Sequence, residues 1–306
     1  MKNNSHKELI DTLSKLATEQ INQNTIDIDE LSPLEIVTKI NTEDKKVALV
    51  VEQALPQIAK AAQIASDTLK INGRIIYIGA GTSGRLGVID AAECPPTFGT
   101  DPKQIVGMIS GGYETLILSK EGVEDNTAQA VEDLQEINLD LNDVVIGIAA
   151  SGRTPYTQAG LEYAKAIGCK TVFIICNNYD DLKIKPDVLI ELPVGPEVIT
   201  GSTRMKSGTA QKMTLNMITT TTMVLLGKTY GNLMVDLQAR SEKLAARSRK
   251  ILMEFLDIDY DTADALLKSS GGSVKTAIVM YRLSVDKPTA EQKLDDADGF
   301  LKRVIK

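Results

Sequence analysis

The fold is decided by the stretch IIYIGAGTSGR at residues 75–85, where four apolar residues lead into a loop of glycines and hydroxyls. The apolar run is typical of a buried strand, and the loop is typical of the start of a helix. A second loop of this kind, Ser151-Gly152-Arg153-Thr154, follows another apolar run about seventy residues later. At a helix N-terminus, free N–H groups and the positive end of the dipole attract anions. The two loops therefore predict a site for a small phosphorylated ligand held from two sides.

Five short apolar runs alternate with helical stretches, namely Arg74–Ile78, Gln104–Ile109, Asp143–Ala149, Lys170–Cys176 and Asp187–Leu192. This alternation predicts an α/β fold with a doubly wound, five-stranded parallel sheet covered by helices on both faces. Ligands of such sheets bind beyond the carboxyl ends of the strands, where the strand order reverses. Both glycine-rich loops are expected at that edge.

Helices are predicted on either side of the sheet. Leu9, Leu13 and Leu16 form an apolar stripe at helical spacing, and Ser32–Glu35 is typical of a capped helix start. A long amphipathic helix is expected over 233–256, followed by three shorter helices. The expected organisation is an N-terminal helical segment (1–56), a ligand-binding α/β domain (57–228) and a small C-terminal helical bundle (229–306).

A third loop, residues 195–207, follows the fifth strand and supplies further hydroxyls, two cations and a carboxylate. The predicted binding residues of the three loops are Gly81, Thr82, Ser83, Arg85, Ser151, Gly152, Arg153, Thr154, Ser202 and Lys206. Two alternatives remain. Gly79, Gly81 and Gly84 also fit a dinucleotide-binding fingerprint, although the second strand ends at Ser110-Gly111 without the carboxylate that would hold a ribose. The loop at 151–154 could also be a plain helix cap.

Composition excludes several classes of function. The net charge is −7 and the pI is near 5.0, which argues against a nucleic-acid or anionic-membrane partner. The odd number of cysteines, three, fits a reducing compartment, and no secretory leader is recognised, so the cytoplasm is expected. His6 is the only histidine and lies in a polar tail. A Ser-His-Asp triad and a His-based metal site are therefore excluded, and Glu, Asp, Lys, Tyr or Cys must carry any acid–base chemistry.

Two carboxylates are candidates for that chemistry. Glu93 precedes Cys94-Pro95-Pro96, and residues before proline disfavour helical angles, so the helix that begins near Gly84 is expected to end by about Glu93. The negative end of a helix disfavours an ionised carboxylate, which would make Glu93 a general acid. The alternative is an ordinary surface glutamate. Glu124, near the start of a later helix, is either a helix-dipole partner or a catalytic residue.

Longer blocks resemble a known family. Residues 79–87 (GAGTSGRLG), 93–97 (ECPPT), 149–156 (AASGRTPY), 201–212 (GSTRMKSGTAQK) and 232–236 (NLMVD) closely resemble the N-acetylmuramic acid 6-phosphate etherases. The resemblance covers nearly the whole chain. It implies a core of the sugar isomerase (SIS) type, shared with glucosamine-6-phosphate synthase and the glucokinase regulatory protein.

The resemblance implies cleavage of the lactyl ether of N-acetylmuramic acid 6-phosphate to N-acetylglucosamine 6-phosphate and D-lactate, in the recycling of bacterial cell-wall sugars. It assigns the two catalytic glutamates to Glu93 and Glu124. Glu197 is a third candidate, because its loop position resembles that of a catalytic glutamate in the synthase. The implied chemistry is removal of the C2 proton by a base, loss of lactate with help from an acid, and addition of water at C3. Neither a metal nor a cofactor is implied.

Other functions remain possible from the sequence. A sugar-phosphate sensor with a SIS domain would bind the ligand without turnover. A SIS isomerase is a further alternative, although several such enzymes use a histidine and the expected folded part of this chain has none. A SIS transcription regulator should carry a basic helix-turn-helix, which the acidic helices before Arg74 do not resemble. The helix from Ser83 to Glu93 would be on the order of 13 Å long. Its two ends can serve one hexose phosphate only if the sugar reaches along the helix, or if one end serves the site of a partner subunit. We favour the second arrangement, a homodimer with composite active sites.

Overall fold

The computed structural model describes residues 16–178, 182, 184–237 and 242–306. His6, Leu9 and Leu13 lie outside the described residues. The chain divides into two compact units, Met1–Asp90 with Val106–Ile218 and Ala91–Ile105 with Thr219–Lys306. The domain boundaries after residues 56 and 228 stay a prediction.

The first unit is built on the predicted sheet. Its strands are β1 (Ile75–Gly79), β2 (Ile105–Ile109), β3 (Val144–Ala149), β4 (Lys170–Ile175) and β5 (Val188–Glu191). They form a five-stranded parallel sheet in the order β2-β1-β3-β4-β5, which confirms the fold class. The register pairs Tyr77 with Ile146 and Ile146 with Val172. Because the order reverses between β1 and β3, the loops that follow these two strands diverge and leave a crevice.

In the described part of this unit, six α-helices begin or lie: α1 (Pro33–Gln53), α2 (Leu55–Lys70), α3 (Gly81–Phe98), α4 (Thr127–Glu136), α5 (Pro155–Ile167) and α6 (Lys206–Leu225). Successive side chains of a strand point to opposite faces of the sheet, so β1 contributes side chains to the packing on both faces. Ile76 and Ile78 are buried together with residues of α4 and α5, such as Leu134 and Leu161. On the other face, the hydroxyl of Tyr77 donates to Asp90 of α3 at 3.0 Å.

The described residues before α1, 16–32, contain three short 3-10 turns, Ala17–Glu19, Gln23–Thr25 and Ile28–Glu30. The predicted cap of α1 is present, because the N–H of Ser32 donates to Glu35 at 2.9 Å in a capping box. Within the described ranges, no helix has the length and apolar character needed to cross a membrane.

The end of α3 differs from the expectation. The helix continues through Pro95 and Pro96 to Phe98, so Glu93 lies inside it rather than at its end. The two prolines cannot donate to the carbonyls one turn earlier, which costs helical hydrogen bonds. Cys94 and Phe98 are nevertheless buried, and this packing outweighs the local preference of residues before proline.

In the second unit, the helix expected over 233–256 begins later. Two short strands, β6 (Thr229–Tyr230) and β7 (Leu233–Met234), pair as an antiparallel hairpin. The helices that follow are α7 (Glu242–Leu256), α8 (Tyr260–Ser269), α9 (Val274–Leu283), α10 (Lys287–Asp295) and α11 (Leu301–Val304). Leu252, Ile278 and Leu301 are fully buried in the core of this bundle.

Candidate functional site

A cavity of about 310 Å³ lies at the carboxyl edge of the sheet in the first unit. It is bounded by the loops that follow β1, β2, β3 and β5 and by one residue of the N-terminal segment. The crevice is therefore at the reversal of strand order, as expected for an open α/β sheet. Its lining consists of Glu19, Ala80, Gly81, Thr82, Ser83, Arg85, Ser110, Thr115, Ser119, Lys120, Glu121, Val123, Glu124, Ala150, Ser151, Thr154, Gly201 and Thr203.

The loop after β1 brings the start of α3 to the cavity. Gly81 opens the helix with φ of +53°, and a Cβ on Gly84 would lie 2.6 Å from the carbonyl oxygen of Gly79. Glycine is therefore required at residue 84 for the turn to close. Ser83 is buried, and its hydroxyl donates to Gln211 at 3.0 Å, whereas Thr82 is half-buried in the lining. The first N–H groups of a helix have no partner inside it, so this turn suits an anion.

The loop after β3 contributes Ser151 and Thr154 to the opposite part of the lining. Gly152 turns the chain with φ of +74° and is buried. Thr154 is the N-cap residue of α5, yet its side chain makes no capping hydrogen bond. Its hydroxyl is therefore available to a ligand. In a plain helix cap, the hydroxyl would instead be used in a hydrogen bond to the backbone. Arg153 is exposed and, with Gly152, is described but is not among the lining residues.

Arg85 links the β1 loop to the loop after β2. Its guanidinium donates to the carbonyl oxygen of Leu116 at 3.2 Å, to the carbonyl oxygen of Thr115, and to the hydroxyl of Ser119 at 3.3 Å. Arg85 lines the cavity, but these contacts also hold the segment that leads to Glu124. The side chain thus combines a place in the wall with a structural role.

Glu124 lies in the cavity wall, in the 3-10 turn Val123–Asp125 that precedes α4. It is half-buried, and its carboxylate makes no ion pair or hydrogen bond with other residues of the described ranges. The hydroxyl of Ser110 donates to the carbonyl oxygen of Val123 and fixes the turn to the end of β2. The backbone of the turn is therefore fixed to the end of β2, and Glu124 forms part of the cavity wall.

Three residues of the loop after β5 that the sequence predicts to be in the site, Glu197, Ser202 and Lys206, do not line the cavity. Glu197 is fully buried and accepts from the N–H groups of Lys206 and Ser207, both at 2.9 Å. The ammonium of Lys206 is buried against Glu43 of α1 at 2.9 Å. Ser202 is half-buried. These three residues are described but are not part of the lining; from this loop, Gly201 and Thr203 line the cavity instead.

Glu43 carries the charge that balances Lys206. Burial would raise the pKa of Glu43, but hydrogen bonds from Lys46, Lys206, Asn24 and Asn22 outweigh it and lower the pKa to about 2. The ionised pair joins α1 to the start of α6.

Glu93 belongs to the second unit, where it is an exposed residue of α3. Among the described residues, no group of three or more His, Cys, Asp or Glu side chains is arranged to hold a metal. Sequence reasoning missed Glu19, Ser110, Thr115 and Thr203 in the lining. The three hydroxyl residues lie in loops that follow strands, and this place in the sequence could have identified them. No pattern in the sequence around Glu19 indicates that it lines the cavity.

Comparisons with known proteins identify similar domain models and solved structures. The model of the glucokinase regulatory protein N-terminal SIS domain matches residues 57–165, and the SIS domain model matches residues 124–221. Among solved structures, a phosphoheptose isomerase from Neisseria gonorrhoeae is similar with a TM-score of 0.47 and 16% identity, covering 63% of this chain and 99% of that chain.

Curated relatives are similar over nearly their full length. The N-acetylmuramic acid 6-phosphate etherase of Actinobacillus pleuropneumoniae serotype 5b (strain L20) is 51% identical over 301 residues, which cover 98% of this chain and 99% of that protein. The protein of the same name from Salinibacter ruber is 51% identical over 298 residues, covering 97% of this chain and 96% of that protein. The one from Bacillus cytotoxicus is 48% identical over 293 residues, covering 96% and 100%.

Proposed function

This chain belongs to the N-acetylmuramic acid 6-phosphate etherase family, and from that membership we propose how it cleaves the lactyl ether of its sugar phosphate. The products are N-acetylglucosamine 6-phosphate and D-lactate, and the reaction class is that of a carbon–oxygen lyase. The observation that carries the proposal is that two anion-binding loops and the open carboxylate of Glu124 line one cavity.

The phosphate is bound by the first turn of α3 and by the hydroxyls of Thr82, Ser151 and Thr154. Backbone N–H groups and hydroxyls can surround a phosphate without a full counter-charge, because the helix dipole supplies part of it. The 6-phosphate is far from the reacting carbons along the sugar, so binding it fixes the open-chain substrate against Glu124.

Glu124 acts as the general base. In the open-chain sugar the C1 aldehyde acidifies the C2 proton, which the Glu124 carboxylate removes. The electron pair of the C2–H bond forms a double bond to C3, and the C3–O bond to the lactyl group breaks. Water then adds at C3 and restores the hydroxyl, with a proton returned to C2.

Glu93 acts as the general acid that protonates the departing lactate oxygen. This role rests on the resemblance of the block ECPPT and on the chemistry, since an alkoxide is a poor leaving group without a proton. The acid and base assignments are separable by experiment, because loss of the base alone prevents exchange of the C2 hydrogen with solvent.

The assembly and location are proposed with the same reaction. We place the enzyme in the cytoplasm, where three cysteines that form no disulfide are compatible with the redox state. We also propose a homodimer with composite active sites, in which each site draws on both subunits.

The test is release of D-lactate from N-acetylmuramic acid 6-phosphate by the purified protein. We expect turnover by the wild type and a fall in kcat of at least about 100-fold for Glu124→Gln, because general-base catalysis contributes that much. Exchange of the C2 hydrogen in deuterated water should be lost with it. Asp125→Asn, an exposed neighbour in the same turn, is the matched control and should retain full activity.

Two outcomes would contradict the proposal. Tight binding of the sugar phosphate by the wild type without release of lactate would identify a non-catalytic sensor. Normal C2 exchange in Glu124→Gln would remove Glu124 from the role of base.

A further inference from the structure

Among the described residues of the N-terminal segment, which begin at Leu16, Glu19 alone lines the cavity, about sixty positions before the first strand of the sheet. It is half-buried, and none of the cations in the described ranges forms an ion pair with its carboxylate. The reaction proposed above does not use it. An unpaired carboxylate in the wall of a phosphate-binding cavity needs a physical account, because it would repel the phosphate.

The segment that carries Glu19 is docked on the sheet rather than loose. Thr18 is fully buried; its carbonyl oxygen accepts from the N–H of Gly201 at 3.2 Å, and its hydroxyl accepts from Asn177 at 3.4 Å. Farther along, Asn22 donates to the carbonyl oxygen of Pro196 at 3.2 Å, and Thr25 donates to that of Val198 at 2.8 Å. The backbone beside Glu19 is therefore anchored to the loop after β4 and to the loop after β5.

The loop after β5 also leaves room for the carboxylate. Gly201 has φ of +75°, and a Cβ there would lie 3.2 Å from Oε2 of Glu19. A side chain at residue 201 would press on the carboxylate. The docking contacts therefore fix the backbone of this segment at the cavity wall, and Gly201 leaves room there for the carboxylate of Glu19.

An ionised carboxylate can only accept hydrogen bonds. It repels the phosphate and also the lactyl carboxylate of the substrate, so its partner must be a neutral donor on the sugar. Hydroxyls and the amide N–H of the 2-acetamido group are the donors that such a sugar offers. A hydrogen bond to a charged acceptor is among the stronger ones in proteins.

We propose that Glu19 is a substrate-binding residue that accepts hydrogen bonds from the neutral donors of the amino sugar and so distinguishes it from simple phosphates. The identity of the sugar in this inference rests on the proposed function. Glu19 does not take part in proton transfer.

The experiment compares Glu19→Ala and Glu19→Gln with the wild type by calorimetric binding of N-acetylglucosamine 6-phosphate and of inorganic phosphate. For Glu19→Ala we expect the Kd of the sugar phosphate to rise about 10- to 100-fold, the cost of losing a hydrogen bond to a charged group. The Kd of phosphate should stay the same or fall, because a repelling charge is removed. Glu19→Gln, which keeps one acceptor, should lie between. Glu30→Gln, an exposed glutamate of a later turn, is the control.

Kinetics separate binding from catalysis. With N-acetylmuramic acid 6-phosphate, the KM of Glu19→Ala should rise while kcat stays within about threefold, which is the pattern of lost uniform binding. Amide exchange at Gly201, which reports on the docked segment, should be the same in Glu19→Ala and in the wild type.

Three results would overturn the inference: an unchanged Kd for the sugar phosphate, an equal weakening of sugar phosphate and phosphate, or a collapse of kcat at constant KM. Failure of the proposed function is a different result. In that case the wild type releases no lactate, and the two binding measurements still decide the role of Glu19.

Discussion

Thr154 and Lys206 are equally good candidates for phosphate binding by residue type, yet their side chains have different surroundings. Thr154 lines the cavity with a hydroxyl that does not cap its helix, whereas the ammonium of Lys206 is buried against Glu43. The sequence predicts the first of these surroundings, the place of Thr154 at the cavity, because a residue between a strand and a helix of such a sheet lies at the sheet edge. It misses the second because the partner of Lys206 lies 163 positions away.

Replacing Thr154 tests the hydroxyl in isolation. We expect Thr154→Val to raise the KM for N-acetylmuramic acid 6-phosphate about 10-fold or more, since a hydrogen bond to a charged phosphate is lost. Stability to urea should change little, because no capping bond is removed. Thr154→Ser restores the hydroxyl and should restore the KM. A large loss of stability with unchanged KM would mean that the hydroxyl supports the helix instead.

Elements with a strong local signal in the sequence lie where they are predicted. Elements whose bounds depend on packing or pairing with distant residues differ from the prediction. Each of the five strands lies in a short, mainly apolar run, so all of them are predicted within one or two residues. Helix α3 extends past its expected end because buried Cys94 and Phe98 stabilise it, and the hairpin of β6 and β7 has only two residues in each strand. The packing of single residues such as Cys94 and Phe98 produces no clear periodicity in the sequence, and neither does the pairing of two-residue strands.

The junction between α1 and α6 depends on an ionised Glu43. Its pKa is lowered from 4.5 to about 2, since hydrogen bonds from Lys46, Lys206, Asn24 and Asn22 outweigh burial. The stabilisation is therefore complete above pH 4.5 and is lost as the pH falls from 4.5 toward 2. We expect Glu43→Gln to lower the free energy of unfolding by about 3–5 kcal/mol at pH 7, because Lys206 is left buried without its partner.

Urea unfolding at pH 7 and at pH 3 measures this dependence. The difference between wild type and Glu43→Gln should be smaller at pH 3. Glu52→Gln, an exposed residue of the same helix, is the control and should have little effect at either pH. A double variant with Glu43→Leu and Lys206→Met removes both charges and should recover most of the stability. Equal destabilisation by Glu43→Gln at both pH values would contradict the assigned ion pair.

At the scale of the whole molecule, one cavity collects residues from four strand ends and from a segment that precedes the sheet. The strand ends follow from the topology, which is why the place of the cavity is predictable. The docked segment follows from contacts such as Thr18 with Asn177 and Gly201, which no pattern in the first thirty residues indicates. The proposed distribution of catalytic groups between two subunits also belongs to this scale.

Subunit mixing tests the proposed composite sites. Glu93→Gln removes the proposed general acid, and Thr82→Asp places a negative charge in the loop after β1, here called the phosphate loop. A homodimer of either variant alone should therefore be inactive. In a mixed dimer with composite sites, one of the two sites receives a native phosphate loop from one subunit and a native Glu93 from the other. A random mixture should then recover roughly a quarter of the wild-type activity per subunit, since half of the dimers are mixed. If each site were built within a single chain, no mixed dimer would contain a complete site. Activity that stays absent, while mass spectrometry shows that the subunits have exchanged, would therefore exclude shared sites.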